Sequence, residues 1–492
     1  MKAHQLHAAL AAYQEGQYAQ AEAMLLAALQ ADGDVFDALH VLGLACHKRG
    51  KSDVANAALL TAISLCPQDA AALSNYCKVL EEQGRFEEAA QMGEQALAID
   101  PASVAAHINL GNAYFKLRKV EEALRHYEAA LALGHRSSAL FGTLGNIVLA
   151  LGQTEEAKRH FETALRLDPR NADAQYAYAG VLLADGAYIE GFRRYEWRWH
   201  TSHSAHVKRD HAFPQLQDLS DVSGKSILVH SDQGLGDCIQ FSRYVPVLAE
   251  RGARVYFAVP APLLALMQES LGAYAQIFSN RDIPVPDYHC PVMSLPYAFG
   301  STVDTIPSQP YLYADQARLA RWQAIFDTSS RPRVGLVWNA NRHNAAVARY
   351  SSVLRSLPLG ALLPVLRMEA ITPVSLQKDL SEAEQLALGF VPHLVDAGGQ
   401  VQDFADTAAV IAQLDLVITV DTAVAHLAGA MGKPVWILLQ KHPDWRWMRE
   451  RSDNPWYPTA RLFRQTVEGD WTAVMAELVP ALRAWAAART LP

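Results

Sequence analysis

The stretch AHINLGNAYFKLRKVEEALRHYEAALAL, residues 106–133, contains the pattern that determines the fold of the first part of the chain. Small and apolar side chains recur at helical spacing on both sides of a break near residue 118, which predicts two helices joined by a tight turn. The pattern returns every 34 residues, and two alanine series mark it in phase: Ala21, Ala55, Ala89, Ala123 and Ala157, and Ala28, Ala62, Ala96, Ala130 and Ala164.

A third series marks the turns, and it consists of Gly16, Gly50, Gly84, Gly152 and Gly186 with Arg118 out of line. This period and these residue types resemble the tetratricopeptide repeat. One such unit cannot bury its apolar face alone, so neighbouring units must stack into a right-handed solenoid. We expect five good repeats and a degenerate sixth, in which Gly191 takes an alanine position.

Asn75 and Asn109 lie 34 residues apart at the same early position of the first helix of their repeats. At that position both side chains are expected to face the concave groove of the solenoid. Two interpretations stay open. Stacked asparagines would hold the backbone of an extended peptide acceptor, or the pair is simply two polar groove residues.

The composition is that of a globular protein. Of the 492 residues, 50% are hydrophobic and 19% are charged, and the formal net charge is -8. A chain without a basic excess does not favour nucleic acid as a partner, although a local basic cleft stays possible. The five cysteines include no CxxC pair, which argues against a disulfide framework or a cysteine zinc site and favours a reducing compartment.

The N-terminus has no signal-peptide core, and no apolar run is long enough to span a membrane, so we expect a soluble, cytoplasmic protein. A homo-oligomer is possible because repeat solenoids expose faces that pair. Residues 204–222 are expected to form a linker. The histidines around it, at positions 200, 203, 206 and 211, are not expected to bind metal because no Cys, Asp or Glu is placed to complete a site.

Strands alternate with helices in the second half, which predicts parallel sheets with helical crossovers. The predicted strands are SILVHS (226–231), VYFAVP (255–260), RVGLVWNA (333–340), ITPVSLQ (371–377), DLVITV (415–420) and PVWILL (434–439). We therefore expect an α-solenoid in 1–203, the linker, and two Rossmann-like domains in 223–328 and 329–492 that face each other across a cleft. Such folds bind ligands at the carboxyl ends of their strands.

Four loops at those strand ends contain candidate binding residues. They are SDQGLGDCIQFSRY (231–244) with Gly234, Gly236 and Asp237; VWNANRHNAAVARY (337–350) with Asn339, Arg342 and Arg349; SLQKD (375–379) with Gln377 and Lys378; and VDTAVAHLAGAMGKP (420–434) with Asp421, Thr422, Ala423 and His426. The last loop enters a helix whose free N–H groups and positive dipole end suit a diphosphate.

The segment Asp421, Thr422 and His426, followed by AGAMGKP, resembles the donor-nucleotide motif of the family 9 heptosyltransferases, which have the GT-B fold. GLGD (234–237) matches their N-terminal signature, and the resemblance implies that Asp237 is the catalytic base. Repeats followed by RSLPL (355–359), SLQKD and PDWRW (443–447) are similar to bacterial tetratricopeptide-repeat glycosyltransferases and, more distantly, to the O-linked N-acetylglucosamine transferases of family 41.

Two departures from the heptosyltransferase pattern stand out. Ala423 replaces the usual glycine after Asp-Thr, and the lysine that contacts the donor phosphate is missing, so Arg342 or Arg349 must substitute. His426 either faces the ligand or supports its loop from within the core. Trp445 and Trp447 either pack in the core or shape the pocket.

The resemblance implies an inverting, metal-independent transfer from a nucleotide-sugar, which is a co-substrate, so no other cofactor is expected. Asp237 takes the acceptor proton, Thr422 and the following N–H groups bind phosphate oxygens, and Arg342, Arg349 or Lys378 supplies positive charge. The repeats suggest a protein or peptide acceptor. Two alternatives stay open: a degraded transferase that serves as a scaffold, and a transferase that acts on a lipid-linked or surface glycan.

Overall fold

The computed structural model describes residues 2–30, 35–201, 212–279, 283–326, 331–340, 353–391 and 393–490. The chain divides into two compact units, Met1–Ala177 and Tyr178–Pro492. The first unit consists of helices that pack in consecutive pairs. The helices up to the unit boundary are α1 (Lys2–Gln14), α2 (Tyr18–Gln30), α3 (Val35–Lys48), α4 (Ser52–Leu65), α5 (Ala70–Glu82), α6 (Phe86–Ile99), α7 (Val104–Lys116), α8 (Val120–Ala132), α9 (Ser138–Ala150), α10 (Thr154–Leu167) and α11 (Ala172–Ala184), in which the boundary falls.

The turn between the two helices of a repeat needs a residue with positive φ. The φ angles of the turn glycines lie between 75° and 82°; these glycines are Gly16, Gly50, Gly84, Gly152 and Gly186. Arg118 takes the same left-handed conformation, with φ of 62°, although a side chain makes it unfavourable by about 1 kcal/mol. The out-of-line residue of the sequence pattern therefore forms the same turn as the glycines.

The helix starts repeat with the same period. The side chains of Asp69, Ser103, Ser137 and Asn171 each accept a hydrogen bond from the backbone N–H three residues on, at 2.7 to 3.3 Å. Each bond satisfies one of the N–H groups that a helix leaves unpaired at its start. The repeat is thus specified at its caps as well as at its small residues.

The second unit contains two separate parallel sheets, as the alternation of strands and helices predicts. The first has the order β3-β2-β1-β4, with β1 (Ser226–His230), β2 (Arg254–Ala258), β3 (Ala275–Phe278) and β4 (Tyr288–Pro291). The second has the order β10-β9-β8-β5-β6-β7, with β5 (Arg333–Val337), β6 (Thr372–Ser375), β7 (Val395–Asp396), β8 (Leu416–Val420), β9 (Val435–Leu439) and β10 (Ala460–Arg464).

The helices of the second unit are α12 (Tyr188–Tyr195), α13 (Leu235–Phe241), α14 (Tyr244–Glu250), α15 (Leu264–Leu271), α16 (Leu295–Ala298), α17 (Gln316–Gln323), α18 (Leu359–Leu366), α19 (Glu382–Leu388), α20 (Phe404–Ala412), α21 (Ala423–Ala430) and α22 (Thr472–Thr490). Short 3₁₀ segments include Glu196–His200, Val292–Ser294 and Trp445–Trp447. In the part of the chain that the structure describes, no helix is both long and apolar enough to cross a membrane.

The sixth helix pair differs from the sequence expectation, which assigns it to the solenoid. Its second helix, α12, belongs to the second unit. Tyr188, Phe192 and Tyr195 of this helix join the same buried apolar cluster as Ile227 of the first sheet and Ile437 of the second. The large aromatic side chains that make this repeat irregular are therefore core residues of the α/β unit.

Candidate functional site

The loop after β1 presents Asp237 at the start of α13. Asp237 Oδ2 accepts a hydrogen bond from the Gly234 N–H at 2.8 Å, and this bond closes the first turn of the helix. The Asp237 side chain is 20% exposed. The glycine-rich loop and the carboxylate are thus locked to each other at the carboxyl end of the strand.

Arg446 holds the other oxygen of Asp237. Its Nη2 donates to Asp237 Oδ1 at 2.5 Å, its Nη1 to Asp444 Oδ1 at 2.7 Å and its Nε to Gln240 Oε1 at 2.8 Å. Despite burial, the neighbouring carboxylates hold the pKa of Arg446 well above its usual value. One charged network therefore joins α13, which follows β1 of the first sheet, to the segment after β9 of the second sheet.

The loop after β8 contains Asp421 and Thr422. Burial raises the pKa of Asp421 to about 6, and the Arg355 guanidinium opposes this shift. Arg355 Nη1 lies 3.9 Å from Asp421 Oδ2 and donates to the Asp421 carbonyl at 3.4 Å. Thr422 precedes α21 without capping it, since its hydroxyl bonds instead with the Thr419 hydroxyl at 3.1 Å. The start of α21 therefore has no cap from that side chain.

His426 lies on α21 and supports this loop from within the core. It is 5% exposed, its Nδ1 shares a hydrogen bond of 2.9 Å with the Tyr457 hydroxyl, and its ring stacks on Trp447 with centroids 5.2 Å apart. Burial holds the pKa of His426 well below its usual value, so the ring is neutral near pH 7. Trp445 and Trp447 are likewise buried among other side chains.

These two loops and the Arg446 segment enclose one cavity of about 530 Å³. Its lining is polar and charged, with carboxylates and guanidinium groups interleaved. The lining residues are Gln233, Gly234, Gly236, Asp237, Arg355, Asp421, Thr422, Ala423, His426, Gln440, His442, Pro443, Asp444 and Arg446. The structure thus gathers Gly234, Gly236, Asp237, Asp421, Thr422, Ala423 and His426 of the predicted site at one place.

Three other predicted donor residues do not line this cavity. Asn339 and Gln377 are buried, and their amides bond within the protein: Asn339 Nδ2 donates to Glu384 Oε1 at 2.6 Å, and Gln377 Oε1 accepts from the Asn339 N–H at 2.9 Å. Lys378 is exposed. Arg342 and Arg349 lie outside the described residues, as do His203, just before the linker, and His206 and His211 within it.

Arg355, Asp444 and Arg446 are site residues that the sequence analysis does not assign. Arg355 opens the segment RSLPL, and Asp444 and Arg446 lie in PDWRW, so both segments were visible as parts of the resemblance. The sequence does not show the roles of these residues, because the Arg446–Asp237 pair joins residues 209 positions apart. Among the described residues, no group of three or more His, Cys, Asp or Glu side chains is placed to bind a metal ion.

In the first unit, the two predicted groove asparagines connect successive repeats. Asn75 Nδ2 lies 3.0 Å from His40 Nε2, and Asn109 Nδ2 donates to the Ser74 carbonyl at 2.9 Å and to the Ser74 hydroxyl at 3.0 Å. Each bond spans 35 residues, so both amides contribute to stacking of the repeats.

Comparison with known proteins finds family matches within both parts of the chain. Residues 6–70, 48–104, 80–147 and 143–190 match tetratricopeptide-repeat profiles, and residues 373–469 match glycosyltransferase family 9 (heptosyltransferase). The chain combines tetratricopeptide repeats with a family 9 glycosyltransferase domain. That domain contains the Asp421 loop and Arg446, whereas Asp237 lies outside the matched range.

One curated relative is Protein FlbA of Caulobacter vibrioides, which is 28% identical over 296 residues. The alignment spans 54% of this chain and 48% of FlbA, or about half the length of the relative. Among solved structures, a thermophilic repeat protein of Thermus thermophilus is 23% identical, with a TM-score of 0.33 over 37% of this chain and 100% of its own. PilF of Pseudomonas aeruginosa is 19% identical, with a TM-score of 0.36 over 40% of this chain and 89% of its own.

Proposed function

We propose that this protein is a GT-B-type glycosyltransferase that moves a sugar from a nucleotide-sugar to a protein or peptide acceptor. The observation that carries the proposal is the cavity in which Asp237, from the loop after β1, meets Asp421 and Thr422, from the loop after β8. The second of these loops lies in the segment that matches glycosyltransferase family 9. The tetratricopeptide repeats support a protein partner, because such repeats build extended binding surfaces.

In the proposed reaction, Thr422 and the N–H groups at the start of α21 bind the donor diphosphate. Arg355 supplies the positive charge, a role for which the sequence analysis offers Arg342, Arg349 or Lys378. Its side chain lines the cavity and is 32% exposed, whereas that of Arg446 is 7% exposed and is held by two carboxylates. Guanidinium groups and a helix N-terminus can stabilise a leaving diphosphate, so transfer is proposed to proceed without a metal ion.

Asp237 is the proposed base. Arg446 and the Gly234 N–H each engage one carboxylate oxygen, and a carboxylate oxygen has more than one lone pair, so the oriented group can still accept a proton. The acceptor hydroxyl gives its proton to Asp237 while its oxygen bonds to the anomeric carbon. The bond from that carbon to the diphosphate oxygen breaks on the opposite face, which inverts the configuration, and its electron pair leaves with the nucleoside diphosphate.

A thermal-shift panel with ADP, GDP, UDP, CDP and dTDP, each without and with magnesium, tests the donor site. A ligand that binds only the folded state must raise Tm by mass action. We expect one diphosphate to raise Tm without magnesium, and we expect Thr422→Ala and Arg355→Ala to lose that shift. Lys378→Ala, which removes a cation outside the cavity, should keep it.

Failure of all five diphosphates at millimolar concentration would overturn the donor site. It would favour the scaffold alternative, in which partners bind the repeats and still do so in Asp237→Ala. If diphosphate binds but no protein in the cell gains the mass of a sugar, the acceptor is instead a lipid-linked or surface glycan.

A further inference from the structure

The segment from α12 to the 3₁₀ turn Glu196–His200 contacts the loop 231–237 through a buried ion pair. Arg198 Nη2 donates to Asp232 Oδ2 at 3.0 Å and to the Ser294 hydroxyl at 2.8 Å. The other oxygen of Asp232 accepts from the Met293 N–H at 3.2 Å. The Arg198 and Asp232 side chains are only 2% and 3% exposed, so water does not compete for these bonds.

The neighbouring residue of the loop is held as well. Gln233 Nε2 donates to the Tyr195 hydroxyl at 2.9 Å, and Gln233 lines the cavity. Two consecutive residues of the loop that leads to Asp237 are thus hydrogen-bonded to the end of the sixth repeat.

The same helix also packs against Trp445, which lies next to Arg446, the ion-pair partner of Asp237. The Phe192 and Tyr195 rings lie 5.6 and 6.2 Å from the Trp445 ring, both edge-on. The Arg446 guanidinium lies over the same Trp445 ring, 4.5 Å from its centroid. Residues of α12 therefore contact, directly or through one side chain, both the loop that leads to Asp237 and the arginine that holds it.

From these contacts we infer that Tyr195 and Arg198 are positioning residues of the transfer reaction, and the inference rests on the proposed function. Both residues hold the loop 231–237 so that Asp237 faces the cavity. The sixth repeat is then a structural part of the transferase site, in addition to any surface that it offers to a partner protein.

Tyr195→Phe tests this most cleanly in the full-length protein, because it removes one hydroxyl and keeps the buried ring. Tyr188→Phe is the matched control: it lies on the same helix, it is equally buried, and its hydroxyl accepts from Trp456 Nε1 at 2.9 Å instead of from the loop. We expect Tyr195→Phe to speed amide hydrogen exchange in residues 231–241 about three- to tenfold, and Tyr188→Phe to leave it unchanged.

Turnover gives a second readout that a purely structural role would not move. The probe is hydrolysis of nucleotide-sugars that contain the diphosphate selected by thermal shift. We expect Tyr195→Phe to lower kcat about three- to tenfold with little change in KM, and Gln233→Ala to lower it similarly. The double variant should lose no more than Gln233→Ala alone, because Tyr195 acts through Gln233.

The outcomes separate the two claims. Equal exchange rates and equal kcat in the Tyr195 and Tyr188 variants would overturn the positioning role while leaving the transferase standing. No turnover of any nucleotide-sugar by the wild-type protein would instead count against the proposed function, and the exchange measurement would still decide whether Tyr195 orders the loop.

Discussion

Charged side chains line the cavity, and Asp421 is among the buried ones. Asp421 is 8% exposed, and its burial is only partly offset by Arg355. Its ionised form is therefore disfavoured in the folded protein, and that has a measurable consequence for stability.

Asp421→Asn is expected to stabilise the protein increasingly as the pH rises. The pKa of Asp421 is about 6 in the folded chain, against an ordinary value of 3.8, so the folded state binds the proton more tightly. The stability contributed by the protonated form is fully present below the unfolded pKa and is lost as the pH rises through the folded pKa. Since asparagine cannot ionise, the variant does not undergo this decrease in the free energy of unfolding, which is on the order of 1–3 kcal/mol.

Thermal unfolding of both proteins across the range from about pH 4 to about pH 7 measures this effect. The Tm of Asp421→Asn minus that of the wild type should grow across the range and level off above it. A difference that stays constant with pH would contradict the raised pKa of Asp421.

Sequence reasoning reached Asp237, Asp421 and Thr422 because each follows a strand in a recognisable motif. It did not reach the role of Arg446, whose partner is 209 residues away and on a different sheet's loop. Asn339 and Gln377 are predicted site residues that the structure does not bring to the cavity. They also follow strands, but buried polar groups must be paired, and these two bond to their own surroundings instead of lining the cavity.

Among the secondary-structure elements, the packing of α13 against α21 brings together the two loops that line the cavity. A Cβ on Gly236 would lie 2.8 Å from His426 Cδ2, closer than side chains normally approach. His426 cannot easily turn away, because Tyr457 and Trp447 hold its ring. Gly236 is thus required for close packing of the helices, a reason independent of its proposed contact with the donor.

Gly236→Ala should therefore destabilise the protein by about 1–3 kcal/mol and weaken binding of the selected diphosphate. Gly360→Ala is the control, since Gly360 lies in α18 with nothing within 4 Å of its added Cβ, and it should be neutral or slightly stabilising. Thermal unfolding and ligand titration measure both effects. If Gly236→Ala melts like the control, the close approach of the two helices is not what Gly236 provides.

The elements themselves were predictable to different degrees. The helices of the repeats follow a 34-residue period, and the turns and caps follow the same period. The helix positions in one repeat can therefore be predicted from those in the others. Six of the strands lie in runs rich in apolar and β-branched residues and were predicted. β3, β4, β7 and β10 were not, because they are short or, like Tyr288–Pro291 and Ala460–Arg464, interrupted by polar side chains.

At the scale of the whole molecule, the chain joins a repeat unit suited to protein binding to a unit that contains the proposed transfer site. Asn75 and Asn109 decide how the first unit is interpreted. Their amide N–H groups bond between repeats, which explains the pair without a ligand. If the two asparagines also bind the acceptor, removing their side chains should impair sugar transfer to protein by more than the accompanying loss of stability explains.

The double variant Asn75→Ala/Asn109→Ala, compared with Asn171→Ala, tests this role. Asn171 Nδ2 donates to the Ser138 hydroxyl at 2.8 Å, and its Oδ1 accepts from the Ala174 N–H at 3.0 Å. Its loss therefore removes a bond between repeats and a helix cap, both outside the predicted groove position. Each lost bond should lower stability by about 1 kcal/mol in either variant. Only the double variant is expected to reduce the amount of cellular protein that carries the added sugar. The reduction should be about tenfold if acceptor binding weakens by roughly 1.4 kcal/mol.

Intact-mass analysis of proteins from cells that express each full-length variant makes the measurement, and diphosphate affinity should be unchanged in both. Equal modification by the double variant and by Asn171→Ala would mean that the two asparagines only hold the repeats together. The acceptor would then have to be recognised elsewhere, and the cavity loop 231–237, with its exposed Gln233, is the surface from which that search would start.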